Sequence, residues 1–131
     1  MGLLTRDAIL GAQDMAHVDV EVPEWGGVVR IKMMTGTERD AFEATTIKRQ
    51  GKKVSMNLVN IRARLVARTA VDEKGKLLFS EADVEALAQK SAAALHRVFE
   101  AARQLNGLRE EDTAEAAEDF QPGQNGDSTS G

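Results

Sequence analysis

Cysteine and tyrosine are both absent from this 131-residue chain, which carries one tryptophan, four phenylalanines, two prolines and two histidines. Without cysteine there are no disulfides, thiolate zinc sites or cysteine nucleophiles, and a reducing cytoplasm suits the chain. No apolar run reaches the roughly 20 residues needed to span a bilayer. The stretch MGLLTRDAILGAQD carries acidic residues where a signal peptide has a basic start and an apolar core. A soluble, cytoplasmic protein with no membrane contact is therefore expected. Gly2 after Met1 fits the start of a myristoylation signal, but Arg6 stands where serine or threonine is preferred.

Motifs of chemistry are equally sparse. His17 and His96 have no metal-ligand spacing to each other, so solvated imidazoles are expected and no metal site. Glu38, Asp40 and Glu43, and again Glu81, Asp83 and Glu85, lie at helix starts, where carboxylates complement the helix dipole. DEKGK lacks the ligand ladder of a calcium loop, Gly26-Gly27 belongs to no phosphate-binding signature, and no GxSxG occurs. The expectation is a protein without catalytic residues or cofactor.

What is present is charge with an uneven distribution. From Arg109 to Gly131 seven acidic residues stand against one arginine, a net charge of −6. Residues 1–108 hold sixteen basic and fourteen acidic residues and net +2. The acidity of the chain belongs to its last stretch. QPGQNGDSTSG has the polar, glycine-rich composition of a segment that buries too little to order itself. Residues 1–108 are read as one domain and 109–131 as a disordered acidic and polar tail.

Periodicity gives the fold class. Thr5 caps a short helix over 6–12. In HVDVEV, Val18, Val20 and Val22 alternate with polar residues, and VVRIKMM repeats the two-residue period with Val29, Ile31 and Met33 on one face and Val28, Arg30, Lys32 and Met34 on the other. Two such strands around PEWGG predict a β-hairpin, with Asp19 and Glu21 facing Arg30 and Lys32. Thr37 with Asp40 predicts a capped helix over 38–50, stopped by Gly51, with KRQGKK a basic loop. Asn57 opens a second helix through Val71, with Leu58, Ile61, Leu65 and Thr69 on its buried stripe. LLF at 77–79 reads as a short apolar element, and Ser80 with Asp83 caps a helix over EADVEALAQ. A final helix from Ser91 places Leu95, Val98, Phe99, Ala102 and Leu105 on one face, and Asn106-Gly107 ends it. The sum is an α+β domain: an N-terminal β-hairpin packed against about four α-helices.

Three arginines stand out. On a helical wheel begun at Asn57, Arg64 and Arg68 flank the apolar stripe while Arg62 falls inside it, so Arg62 either snorkels out or finds a partner. Arg62, Arg64 and Arg68 are also candidates for a protein interface, where arginine is enriched. With Lys52 and Lys53 they admit a second reading, a small nucleic-acid-binding module, although stacking aromatics are few and the body carries little net charge. Trp25, between a proline and two glycines, either folds back over Val20 and Val29 or stands exposed as an interface anchor. Met34 joins the candidate partner-binding residues, because methionine adapts to varied partners. Met33 is assigned to the core.

Taken in order, MGLLTRDAIL, VPEWGG, TGTERDAFE, NIRARLVA, LLFSEADVEAL and the helix ending in LNGL resemble the small tail assembly chaperones of long-tailed bacteriophages and prophages. The resemblance spans about residues 1–108. It implies a non-catalytic cytoplasmic assembly factor that binds the phage tape measure protein, keeps its apolar helices soluble, helps recruit tail tube protein, and is absent from the mature virion. Self-association is a further expected contact, and a structural tail subunit, which would stay in the virion, is the alternative to this reading. The family offers no catalytic, cofactor or metal residues to carry over.

Overall fold

A computed structural model describes residues 2–108. The expected hairpin is present: β1 (His17–Val22) and β2 (Gly27–Lys32) pair antiparallel, with Asp19 opposite Arg30 and Val22 opposite Gly27. Between them Pro23–Trp25 make one 3-10 turn, which Gly26 closes with φ 79°, a left-handed value that glycine adopts without cost. The Arg30 guanidinium donates twice to Asp19, at 2.8 and 3.1 Å. The second expected cross-strand pair does not form. Register sets Glu21 opposite Val28, and Lys32 instead donates to Glu38 at 2.6 Å.

Helix α1 (Arg6–Gly11) is capped as expected, the Thr5 hydroxyl accepting from the Ala8 N–H, yet none of its residues is buried. Helix α2 (Gly36–Thr45) starts two residues earlier than the spacing of Thr37 and Asp40 suggests. Its capping box joins Thr35 and Glu38, each side chain accepting from the other's backbone N–H. It also ends earlier, because the hydroxyls of Thr45 and Thr46 bond back to the carbonyls of Phe42 and Glu43 and β-branched Ile47 follows. The residues read as the end of this helix form a strand, β3 (Ile47–Gln50), paired with β4 (Lys53–Met56) across the two-residue turn Gly51-Lys52. Gly51 has φ 63°, the positive value that tight hairpin turns need at this position. KRQGKK is thus the tip of a second hairpin, exposed on both faces.

Helix α3 (Ile61–Thr69) is shorter at both ends than its pattern suggests. Asn60 sits in the left-handed region at its start, and Ala70–Val71 leave the helix as strand β5. That strand pairs antiparallel with β2, Ala70 opposite Ile31, so the main sheet has three strands in the order β1-β2-β5. A 3-10 turn at Glu81–Asp83, where the Asp83 carboxylate accepts from the Ser80 N–H, leads into α4 (Val84–Ala88). Helix α5 (Ala92–Leu105) is capped by Ser91 and followed by Gly107 at φ 65°. Asn106 ties its end to the sheet: its Oδ1 accepts from the Met34 N–H at 2.6 Å, and its Nδ2 donates to the Ala102 and Lys32 carbonyls.

The architecture is mixed α+β, as expected, with α2, α3, α4 and α5 supplying the core and α1 standing apart. Helices α3 and α5 pack on each other and on the main sheet, enclosing Val22, Ile31, Phe42, Leu65, Val66 and Val98, all fully buried. Each such side chain contributes about 1.5–3 kcal/mol through loss of apolar surface to water. Among the described residues, no helix is long and apolar enough to cross a membrane. The tail, residues 109–131, lies outside the described residues.

Burial in α3 corrects the wheel. Arg62 is exposed and Arg64 is the buried arginine, 8% exposed, because the helix begins at Ile61 and is enclosed on nearly all sides. The Arg64 guanidinium donates to the carbonyls of Thr45 (2.7 Å), Asn57 (2.5 Å) and Val59 (2.9 Å) and to the Thr45 hydroxyl (2.8 Å). Those carbonyls flank the second hairpin, so one side chain fixes both of its ends to α3. Burial pushes the Arg64 pKa down from its ordinary value, with neighbouring Arg68 adding to that and Glu81 opposing it. Lysine lacks the planar fork to meet three diverging carbonyls. Arg64→Lys is therefore expected to lose about 2 kcal/mol in urea unfolding and to raise amide exchange across residues 47–56; unchanged exchange there would show that the hairpin does not depend on this anchor.

Candidate partner-binding surface

Trp25 takes neither of the two extremes expected of it. It is half-buried: one side packs against the core that Val20 and Val29 also border, and the other walls an open groove. The groove encloses about 460 Å³ and is lined by Trp25, Leu78, Phe79, Ala86, Leu87, Lys90 and Asp83. Leu77, Leu78 and Val28 are exposed beside it, at 46%, 51% and 60%. The groove lining itself is mainly apolar, with one cation, Lys90, and one anion, Asp83. The run LLF, legible only as a short apolar element, supplies two of its walls because Leu77 bridges to Val71 and the Leu78 N–H donates to the Ala70 carbonyl. That pairing turns the run outward along the sheet edge.

The turn that presents Trp25 is held from below by an ion pair. Glu24 receives two hydrogen bonds from the Arg97 guanidinium, at 2.7 and 2.8 Å, which join the hairpin tip to α5. These bonds hold the Glu24 carboxyl down at about 2, aided by a backbone hydrogen bond. The same contact raises the Arg97 pKa. In the sequence Arg97 lies off the apolar stripe of its helix and Glu24 sits in no motif. Their separation of 73 residues carries no pattern that would join them.

The remaining candidates divide between surface and scaffold. Arg62 Nε donates to His96 Nδ1 at 3.1 Å, and its guanidinium lies 5.4 Å from the centre of the Phe99 ring. This interaction requires the His96 tautomer protonated on Nε2. Arg62 and His96 border a second, wider cleft of about 760 Å³ with Leu58, Ile61, Ala92 and Leu95. Arg68 pairs with Glu81 at 2.8 Å and is partly covered. Arg64 is sealed beneath the helix, as described above. The three arginines thus point to three different environments and do not form one basic strip, which removes the geometric basis for tracking phosphates along α3. Met34 is buried at 9% exposure, because Asn106 draws its backbone onto the end of α5; Met33 is the more accessible of the two, a reversal of the expected roles. Among the described residues, no group of three or more histidines, aspartates and glutamates is placed to hold a metal ion.

Glu24 generates a pH test. Its folded-state pKa lies below the ordinary carboxylate value of 4.5, so its contribution to stability is full above pH 4.5 and is lost as pH falls toward 2. Trp25, the sole tryptophan in a chain without tyrosine, reports directly on the turn. Its fluorescence is expected to hold steady from pH 7 to 4 and to shift on approach to pH 2, whereas Glu24→Gln should show the shifted spectrum already at pH 7. An identical pH profile in both proteins would mean that the ion pair does not hold the turn.

Neither a curated protein nor a solved structure matches the chain. The profile of one family does, over residues 5–119, and its description is phage tail assembly chaperone. The match takes in every element from α1 to α5 together with the Trp25 groove, and it agrees with the resemblance carried by the sequence segments. The chain belongs to the phage tail assembly chaperone family.

Proposed function

We propose that this protein binds an amphipathic helical segment of the phage tape measure protein in the groove walled by Trp25, Leu78, Phe79 and Leu87, and so keeps that client soluble while the tail is assembled. The observation that carries the reading is this apolar, open groove on a chain of the tail assembly chaperone family. A client helix lays its apolar face into such a groove, and the exposed Leu77 and Val28 extend the contact beyond the groove itself. Asp83 and Lys90 in the lining suit charged residues flanking the helix stripe. Exposed Arg62 and Arg68, the latter partly covered by its pair with Glu81, are the proposed secondary contacts on two separate faces, while buried Arg64 and Met34 act by holding the scaffold in place.

In this reading the protein acts without catalysis or cofactor, works in the bacterial cytoplasm, and leaves before the virion matures. Contacts to tail tube protein, and self-association through the exposed apolar residues, are further parts of the proposal.

Co-expression with the tape measure protein tests it. Wild type is expected to raise the soluble client fraction and to co-purify with it. Leu78→Lys, at an exposed position, should leave the fold intact and reduce co-purification about tenfold or more, as loss of a central anchor does. Trp25→Ala should do the same at some cost in stability. Equal client yield with wild type and Leu78→Lys would place the contact elsewhere, and no rescue by wild type would remove the chaperone reading.

A further inference from the structure

The second hairpin is an unusual element for a small domain. A two-stranded ribbon alone is marginally stable in water, and here every residue of β3 and β4 is exposed. Pairing places Ile47, Val54 and Met56 on one face with Arg49, and Lys48, Gln50, Lys53 and Ser55 on the other. Ile47, Val54 and Met56 are 42%, 59% and 43% exposed. With Lys52 in the turn the ribbon carries four cations, Lys48 and Lys53 on one face and Arg49 on the other. No acidic residue occurs between Glu43 and Asp72, and among the described residues none of Lys48, Arg49, Lys52 and Lys53 forms an ion pair.

One segment of the same chain has the complementary chemistry. Residues 110–120, EDTAEAAEDF preceded by Glu110, carry six carboxylates, no cation, and Phe120 at their end. The family match runs into this segment, through residue 119. We propose that residues 110–120 dock in cis on the hairpin β3–β4, their carboxylates against Lys48, Arg49, Lys52 and Lys53 and Phe120 against the apolar face of Ile47, Val54 and Met56. This proposal does not depend on the tape measure reading.

Reach and concentration both support the intramolecular contact. The Arg39 guanidinium donates to the Asn106 carbonyl at 3.3 Å, so the chain reaches residue 108 beside the first half of α2. From Arg39 the path along α2 and β3 to the hairpin tip is at most about 25 Å, at 1.5 Å per helical and 3.3 Å per strand residue. An extended segment of 11 residues spans about 36 Å, enough to reach any part of the ribbon. A tether of this length gives an effective concentration on the order of millimolar, at which a few exposed ion pairs and one aromatic contact suffice. A nucleic acid is a weaker fit, since the hairpin offers phosphate-binding cations but no aromatic side chain on which a base can stack.

The chain has no cysteine, so Ser55→Cys gives a single site for a spin label on the ribbon. In the full-length labelled protein, the amide signals of residues 110–120 are expected to lose about twofold or more of their intensity at low salt and to recover near 1 M salt, where the screening length is about 3 Å. The combined substitution K48E/R49E/K52E/K53E, confined to exposed positions, should abolish the loss while leaving core signals unchanged. So should replacing the six carboxylates by Gln and Asn. Undiminished signals in the wild-type background would overturn the proposal and leave the ribbon open to an outside partner. Broadening seen only when isotope-labelled protein is mixed with spin-labelled protein would also overturn it, by assigning the contact to a second copy.

Discussion

A guanidinium that has to be satisfied beneath a helix governs much of this structure. Arg64 has left water, and a buried charge is tolerated only where its donors all find acceptors. It finds them in carbonyls of Thr45, Asn57 and Val59, none of which is engaged within a helix. Those carbonyls are available because α2 ends at Thr45 and α3 begins only at Ile61. The residues between them are left to pair with one another as a hairpin. Arg64, a candidate partner contact by its place on the wheel, is in effect the peg on which the second hairpin hangs.

Around that peg the core is built by ordinary means. Helix α3 is enclosed by α2, α4, α5 and the main sheet, which accounts for seven of its nine residues being buried. At one end of α5 Asn106 joins helix to strand, and nearer its middle Arg97 reaches Glu24 at the hairpin tip. These two links set the hairpin rigidly against α5, and rigidity matters for Trp25. A large apolar side chain on a mobile turn loses conformational entropy when it binds, whereas one already held by an ion pair and a core contact loses less. The groove beside it is therefore preorganised, as suits a protein whose family acts on other proteins.

The two apolar features of the surface differ in kind. The groove at Trp25 is concave and mainly apolar, with buried Leu87 and exposed Leu78 among its walls. The ribbon β3–β4 is thin, basic and open on both sides. One suits an amphipathic helix from outside. The other suits an acidic strand of chain, and charge complementarity makes the chain's own residues 110–120 the nearest candidate. Exposed edges of such ribbons are liable to unwanted pairing, and a cluster of lysines is one means by which proteins guard them.

What the sequence determined was whatever depends on neighbours along the chain. Alternating apolar residues fixed β1 and β2, Thr5, Ser80 and Ser91 fixed helix starts, and Gly107 marked an end, because strand pleat, caps and turns are satisfied within a few residues. The ordered segments also carried the family resemblance. Tertiary structure alone decided which arginine of α3 is buried, that Ala70–Val71 leave the helix to pair with β2, that Ile47–Gln50 are strand, and that LLF walls a groove with Trp25. A helical wheel assumes one buried side and a known starting residue, and α3 violates both assumptions. The contact between Glu24 and Arg97, and the anchoring of Thr45 and Asn57 by Arg64, join residues through space, and a residue's partners across the fold leave no periodic trace in the chain.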